Sequence, residues 1–225
     1  MSGNGHGLVS LRPSYAAAMS GAAQAERQEL AALLDQLGPD APTLCAGWST
    51  ADLAAHLVIR ERRPDAAAGI VLGPLADYTA KVQDQVRQST PYPRLVERVR
   101  SGPPAVLRPF DDALNTAEYF VHHEDVRRAR EPWTPRTLDD AETKLLWSRL
   151  GLLGRQLARR APVGVELIAP GLGKKLVKGG DQVVSVTGDP GELLLWAFGR
   201  AGAALVELSG DSESVEALRA TKLGF

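Results

Sequence analysis

The sequence predicts a mainly α protein, with a helical part over about residues 20–160 and a small α+β part over 161–225. Three observations carry this. Leu30, Leu33, Leu34 and Leu37 recur at helical spacing before Gly38-Pro39. Along residues 111–130, Leu114, Glu118, Val121, His122 and Asp125 share one face at steps of three and four. After Pro162 the texture changes to alternating or continuous runs with β-branched residues, which read as strands.

Residues 1–20 are rich in Gly, Ser and Ala and read as a weakly ordered extension, with Met19 as an alternative start. The first helix begins near Ala22 and ends at Gly38-Pro39, and a loop from Asp40 to Gly47 follows. Ser49 then caps a second helix, with Asp52 as its capping-box partner. Pro64 kinks or ends that helix, because it pushes Arg63 away from helical angles. A weaker helical stretch covers Leu75 to Gln88, and Pro91 and Pro93 open another that stops at Gly102-Pro103-Pro104. The strongest helix runs from about Asp111 to Arg130, before Pro132, and a last long one covers Leu138 to Arg160. Beyond Pro162, Val163–Ile168, Gln182–Thr187 and Leu205–Leu208 read as strands. Gly173-Lys174-Lys175 and Gly179-Gly180-Asp181 read as turns. Gly191–Arg200, opened by Asp189-Pro190, and Ser212–Thr221 read as helices. The chain therefore divides into an extension (1–20), a helical domain (21–160) and a small α+β domain (161–225).

With 225 residues, 44% apolar and 24% charged, the chain has the profile of a soluble globular protein with an ample core. A net charge of −1 leaves no basic footprint, so nucleic acid is not an expected partner. No apolar run approaches a membrane span, and no apolar segment follows Arg12 as a secretory signal would require. One cysteine, Cys45, excludes an internal disulfide framework and fits a reducing cytoplasm, the expected location.

His56 sits among apolar residues on the second helix, and Glu118 and His122 lie four apart on the strongest one. Two neutral imidazoles and one carboxylate suit a divalent metal with a position left open for chemistry. His123 is turned by about 100° and points elsewhere. Spacing alone is weak support: a Glu and a His four apart are common on solvated faces, and a lone helical His is more often a hydrogen-bonded core or edge residue. Burying the carboxylate is costly, and a metal or Arg60 would relieve that cost. Cys45 is a nucleophile, a fourth ligand or, as free cysteines ordinarily are, a small buried packing residue. Trp48 lines a pocket or forms a hydrophobic staple ahead of the cap. Asp125 orients a ligand imidazole or pairs with Arg128. Arg200, and with less force Arg60, binds a carboxylate of substrate or cofactor; the plainer reading of Arg200 is a cation complementing a helix C-terminus. Gly171-Leu172-Gly173-Lys174-Lys175 lacks the spacing of a phosphate-binding loop and reads as a turn.

The run Leu44-Cys45-Ala46-Gly47-Trp48-Ser49-Thr50-Ala51-Asp52-Leu53-Ala54-Ala55-His56-Leu57 resembles the opening signature of the mycothiol-dependent maleylpyruvate isomerase family. Glu118-Tyr119-Phe120-Val121-His122-His123-Glu124-Asp125 resembles that family's second metal segment, and Val186 to Arg200 resembles its C-terminal domain. The resemblance touches most of residues 20–215, while Arg60-Glu61-Arg62-Arg63-Pro64-Asp65 departs from the isomerase, which points to another branch of the family and leaves the substrate, though not the metal, open. It implies a DinB-like four-helix bundle followed by the α+β domain. It further implies that His56, Glu118 and His122 ligate a divalent ion, zinc foremost, and that mycothiol is the thiol cosubstrate. Such an ion activates a thiol, so no protein nucleophile is needed.

The expected function is therefore metal-dependent isomerisation of a maleylpyruvate-like compound, or thiol transfer to a small electrophile, with Arg200 and Arg60 as the catalytic candidates. The alternatives are a non-catalytic metal-containing small-molecule-binding protein and a thiol-independent metal hydrolase. The expected partner is a small-molecule substrate, not nucleic acid or membrane, and a homodimer remains open.

Overall fold

The structure, a computed structural model, describes residues 21–71 and 73–224; the predicted extension over 1–20 lies outside the described residues. Among these, nine α-helices are followed or interleaved, from residue 164 onward, by four strands: α1 Ala22–Leu37, α2 Thr50–Arg62, α3 Pro64–Val71, α4 Ala76–Ser89, α5 Tyr92–Ser101, α6 Asp111–Arg127, α7 Asp140–Leu157, β1 Gly164–Ala169, β2 Gly173–Lys178, β3 Val183–Thr187, α8 Pro190–Ala197, β4 Glu207–Ser209 and α9 Ser212–Arg219. No helix among them is long and apolar enough to cross a membrane.

Helices α1, α2, α5 and α6 form a four-helix bundle around Leu30, Leu34, Leu53, Leu57, Val96 and Tyr119. Each fully buried leucine there contributes about 1.5–3 kcal/mol relative to exposure. The helix ends follow local chemistry. Gly38 stops α1 at φ 77°, with its N–H on the Leu34 carbonyl. Ser49 and Asp52 form the expected capping box of α2. Asp112, in the first turn of α6, accepts the Gly21 and Ala23 N–H groups and so ties the start of α1 to the start of α6.

A second core lies between α6, α7, α8 and the sheet, built on Phe120, Val121, Leu146, Leu150, Val186 and Leu194. Helix α6 is the wall shared by both cores: Tyr119 and Val126 face the bundle, while Ala117, Phe120 and Val121 face the other way. That double burial is why α6 is buried almost all round from Asn115 to Val126, polar side chains included.

The sheet order is β2-β1-β3-β4, with β1 parallel to β3 and the outer pairs antiparallel. Here the structure corrects the sequence reading. Gly173-Lys174-Lys175 is not a turn but the start of edge strand β2, paired as Leu167↔Lys175 and Ile168↔Lys174. In β2 only Val177 is fully buried, so the alternation that reveals a strand is missing, and exposed lysines are what an edge strand carries. Pro64 does end α2, but it also opens α3, a helix not expected from sequence, because proline's fixed φ suits a first helical position.

Candidate functional site

The capping box fixes where α2 starts and hence which face His56 presents. Its ring is buried, tilted against Trp48 at 4.9 Å between centroids and set edge-on to His122 at 5.3 Å. Gln83, reaching over from α4, hydrogen-bonds it. On α6, Nε2 of His122 lies 3.4 Å from a carboxylate oxygen of Glu118 one turn earlier. Two ligands of a tetrahedral zinc with bonds of about 2.0–2.1 Å stand at about that separation. The fold thus brings together the three residues singled out from sequence, from helices about sixty residues apart along the chain. His123 points away, its Nδ1 2.9 Å from Glu26.

The other edge of His122 is fixed. Its Nδ1 donates to Asp125 at 2.9 Å, and Asp125 is completely buried. Arg200 donates to both oxygens of that carboxylate, at 2.9 and 2.7 Å, and the Cys45 thiol donates to it at 3.2 Å. Of the two sequence readings of Asp125, the structure therefore has the one facing the imidazole; Arg128 pairs instead with Glu124 and Glu192. Holding Nδ1–H this way sets the tautomer and aims Nε2 at Glu118. Arg200 occupies two of its nitrogens on Asp125 and a third on the Phe198 carbonyl at the end of α8. It therefore does both things weighed for it in part, complementing a helix end and facing the bundle, but its fork is closed on a protein carboxylate. Arg60 is also engaged: it hydrogen-bonds Asn115 and the Leu114 carbonyl and stands 3.4 Å from Glu118.

The electrostatics follow from burial and these partners. Burial first, then the charge of His122, pushes His56 down to about 3, so it stays neutral and keeps its lone pair at neutral pH. Burial opposes charge on His122, yet the hydrogen bonds to Asp125, Cys45 and Glu118 outweigh it and hold the imidazolium well above the ordinary histidine value. Burial likewise would raise Glu118, but the His122 hydrogen bond and the Arg60 charge bring it down to about 2.

Among the described residues, two sets of three potential ligands have their donor atoms all within 4.8 Å of one another: Cys45, His122 and Asp125, and Glu26, Glu29 and His123. The His56–Glu118–His122 set is more open than either. Each set has an arginine beside it: Arg200 hydrogen-bonds Asp125 at 2.7 Å and contacts Cys45, Arg136 pairs with Glu26 at 2.8 Å, and Arg60 stands farther off, 3.4 Å from Glu118. The open set differs from the other two in offering two imidazoles and one carboxylate, residue types that zinc takes.

Two clefts lie beside these residues, the first lined by Glu118 and the second by Cys45 and Arg200, the partners of Asp125. The first, of about 410 Å³, is lined by Glu118, Arg60 and Asn115 and by apolar residues that include Ile70, Pro103, Leu107 and Leu114. The other, of about 830 Å³, is lined by Cys45, Trp48, Arg128, Trp133 and Arg200. Trp48 also packs against the bundle core, so the staple and the pocket wall are the same residue. Sequence reasoning missed Asn115 and Gln83. Asn115 had a signal, standing three residues before Glu118 on the same face; Gln83, a buried polar residue beside Val82, had a weaker one.

Comparison with known proteins agrees with this architecture. Residues 21–150 match the family model described as the mycothiol maleylpyruvate isomerase N-terminal domain. The crystal structure of the mycothiol-dependent maleylpyruvate isomerase has the same fold, at a TM-score of 0.57 and 14% identity over 85% of this chain and 91% of that one. A histidine-to-alanine mutant of that enzyme matches at a TM-score of 0.56 and 13% identity, with the same coverage. None of the curated proteins compared with the chain matches it. Because the family model spans more than half of the 225 residues, the chain belongs to the mycothiol maleylpyruvate isomerase N-terminal domain family.

Proposed function

We propose that this protein is a metal-dependent enzyme in which His56, Glu118 and His122 hold a divalent ion, zinc foremost, and mycothiol is the thiol cosubstrate acting on a small electrophile. One observation carries the reading: a buried His122, pinned at Nδ1 by Asp125, turns its Nε2 to Glu118 at 3.4 Å with the His56 ring alongside. A divalent ion in such a set supplies a lowered pKa to a thiol or water that reaches it, and so a nucleophile near neutral pH.

The chain's own residues do the rest. His56 offers a neutral nitrogen, and His122 releases a proton from Nε2 when that atom becomes a ligand. Asp125 keeps the opposite N–H in place, and Arg200 from the C-terminal part holds Asp125. Arg60 holds Asn115 and the Glu118 carboxylate in the lining of the smaller cleft. The larger cleft, which offers Arg128, Arg200 and Cys45 beside two tryptophans, suits a hydroxyl-rich thiol such as mycothiol. Isomerisation and thiol transfer both proceed without a protein nucleophile, which leaves Cys45 free for its hydrogen bonds to Asp125 and Arg200.

A second reading, a closed structural metal site completed by Cys45 and Asp125, is favoured by the closeness of those ligands to His122. The Arg200 guanidinium on both of them counts against a cation there. Calorimetric titration of mycothiol into metal-loaded protein, with and without chelator, separates the two. The proposal expects binding that chelation abolishes; no binding, or binding indifferent to chelator, overturns it.

A further inference from the structure

Resting on that reading, we propose that the electrophile taken by the smaller cleft is a largely apolar molecule carrying at most one negative charge, and not a dicarboxylate. The apolar side chains of Ala67, Ile70, Pro103, Leu107, Leu114 and Leu153 offer a long dianion no hydrogen-bond donors, and the Asn115 amide in the same lining already donates to Glu61 and Asp111. Arg60 is the one cation among the described lining residues, and its guanidinium already serves Asn115 and the Leu114 carbonyl beside Glu118. The other lining charges are carboxylates, Glu118 and Glu61, and Glu61 is paired with the buried Arg27. One anionic group can share Arg60; a second would lose its water with no cation to meet it.

The exposed part of the lining points the same way. Leu107 and Leu114, both lining the cleft, are 39% and 58% exposed. Exposed leucines lining a cleft, unlike apolar residues scattered singly on a surface, mark a place where an apolar ligand displaces water. The volume of about 410 Å³ is at the small end of ligand clefts, the size for a substituted aromatic or a short alkyl chain.

The test uses Nile red, a neutral apolar dye, on the metal-loaded full chain. The expected result is saturable binding at one site per chain. 1-Chloro-2,4-dinitrobenzene, without thiol, should displace the dye at a concentration at least tenfold below that needed with maleate. Leu114→Asp and Leu107→Asp, both at exposed positions, should weaken dye binding at least fivefold, while Leu176→Asp, equally exposed on edge strand β2, leaves it unchanged. Displacement by maleate as effective as by the aromatic, or dye binding insensitive to Leu114→Asp and Leu107→Asp, overturns the proposal. Mycothiol titrations on the same samples keep the two ideas apart. Metal-dependent mycothiol binding with no apolar site refutes only this inference, and an apolar site without metal-dependent mycothiol binding refutes only the thiol reading.

Discussion

Replacing Asp125 by Asn tests how the site is organised. The carboxylate is fully buried and takes hydrogen bonds from His122, Arg200 and Cys45 at once. Asparagine keeps the size, but its amide nitrogen can no longer accept from Arg200, so one arm of the fork is left facing a donor. Two effects follow. Loss of a carboxylate that orients a ligand imidazole typically costs about 10–100-fold in metal affinity, or about 1.4–2.8 kcal/mol. Breaking a buried ion pair costs about 3–5 kcal/mol, and because Arg200 retains 19% side-chain exposure and can hydrate, the low end applies. At about 3 kcal/mol, a chain of this length loses about 6–12 °C in Tm. Metal affinity is read by competition with a chromophoric chelator, and Tm by circular dichroism on metal-free protein. An Asp125→Asn protein that binds metal as tightly as the parent would refute the claim that Asp125 sets the aim of His122.

Three further outcomes are expected. Arg27, fully buried between Glu61, Asp111 and the Tyr119 ring, holds the start of α6 to α1 and α2; Arg27→Ala strands two carboxylates and lowers stability by about 3–5 kcal/mol in denaturant titration. In Gly69→Ala the new methyl would stand 2.1 Å from Thr79 Oγ1 and 2.3 Å from the Leu75 carbonyl, so α3 and α4 must part, at a cost of about 1–3 kcal/mol in the same titration. Burial and the neighbouring Glu26 raise Glu142 from 4.5 to about 7, so the protonated form is the one the fold prefers. Its stabilising share is complete below pH 4.5 and fades as pH rises to 7; Glu142→Gln should flatten the stability profile across that window and exceed the parent at pH 8, as read by Tm.

The parts legible in the sequence were those written locally. The Ser49–Asp52 box, the Gly38 stop and the Pro-flanked α5 each depend on residues a few positions apart. Element ends are less so: α6 is expected to reach Arg130 but stops at Arg127, with Arg128 as its cap. The α3 helix and strand β2 were missed because a proline and a Gly-Lys run carry the same letters as breaks. Glu118 and His122 could be paired by spacing, but their approach to His56 is tertiary and was implied only by the family resemblance. The hold of Arg200 on Asp125 spans 75 residues and has no pattern to betray it. The closed fork of Arg200 on Asp125, and the hydrogen bonds of Arg60 to Asn115 and the Leu114 carbonyl beside Glu118, are visible only in the assembled fold.

The central claim is that two helices bring a pair of imidazoles and one carboxylate around a single ion. Its most direct measurement is metal content after zinc loading and desalting, for the parent and for His56→Ala, Glu118→Gln and His122→Ala, each checked for helicity by circular dichroism. The account predicts about one ion per chain in the parent, from the one open ligand set, and a loss of bound ion in all three variants with the fold retained. A parent that retains no ion, or folded variants that retain it as the parent does, would contradict it.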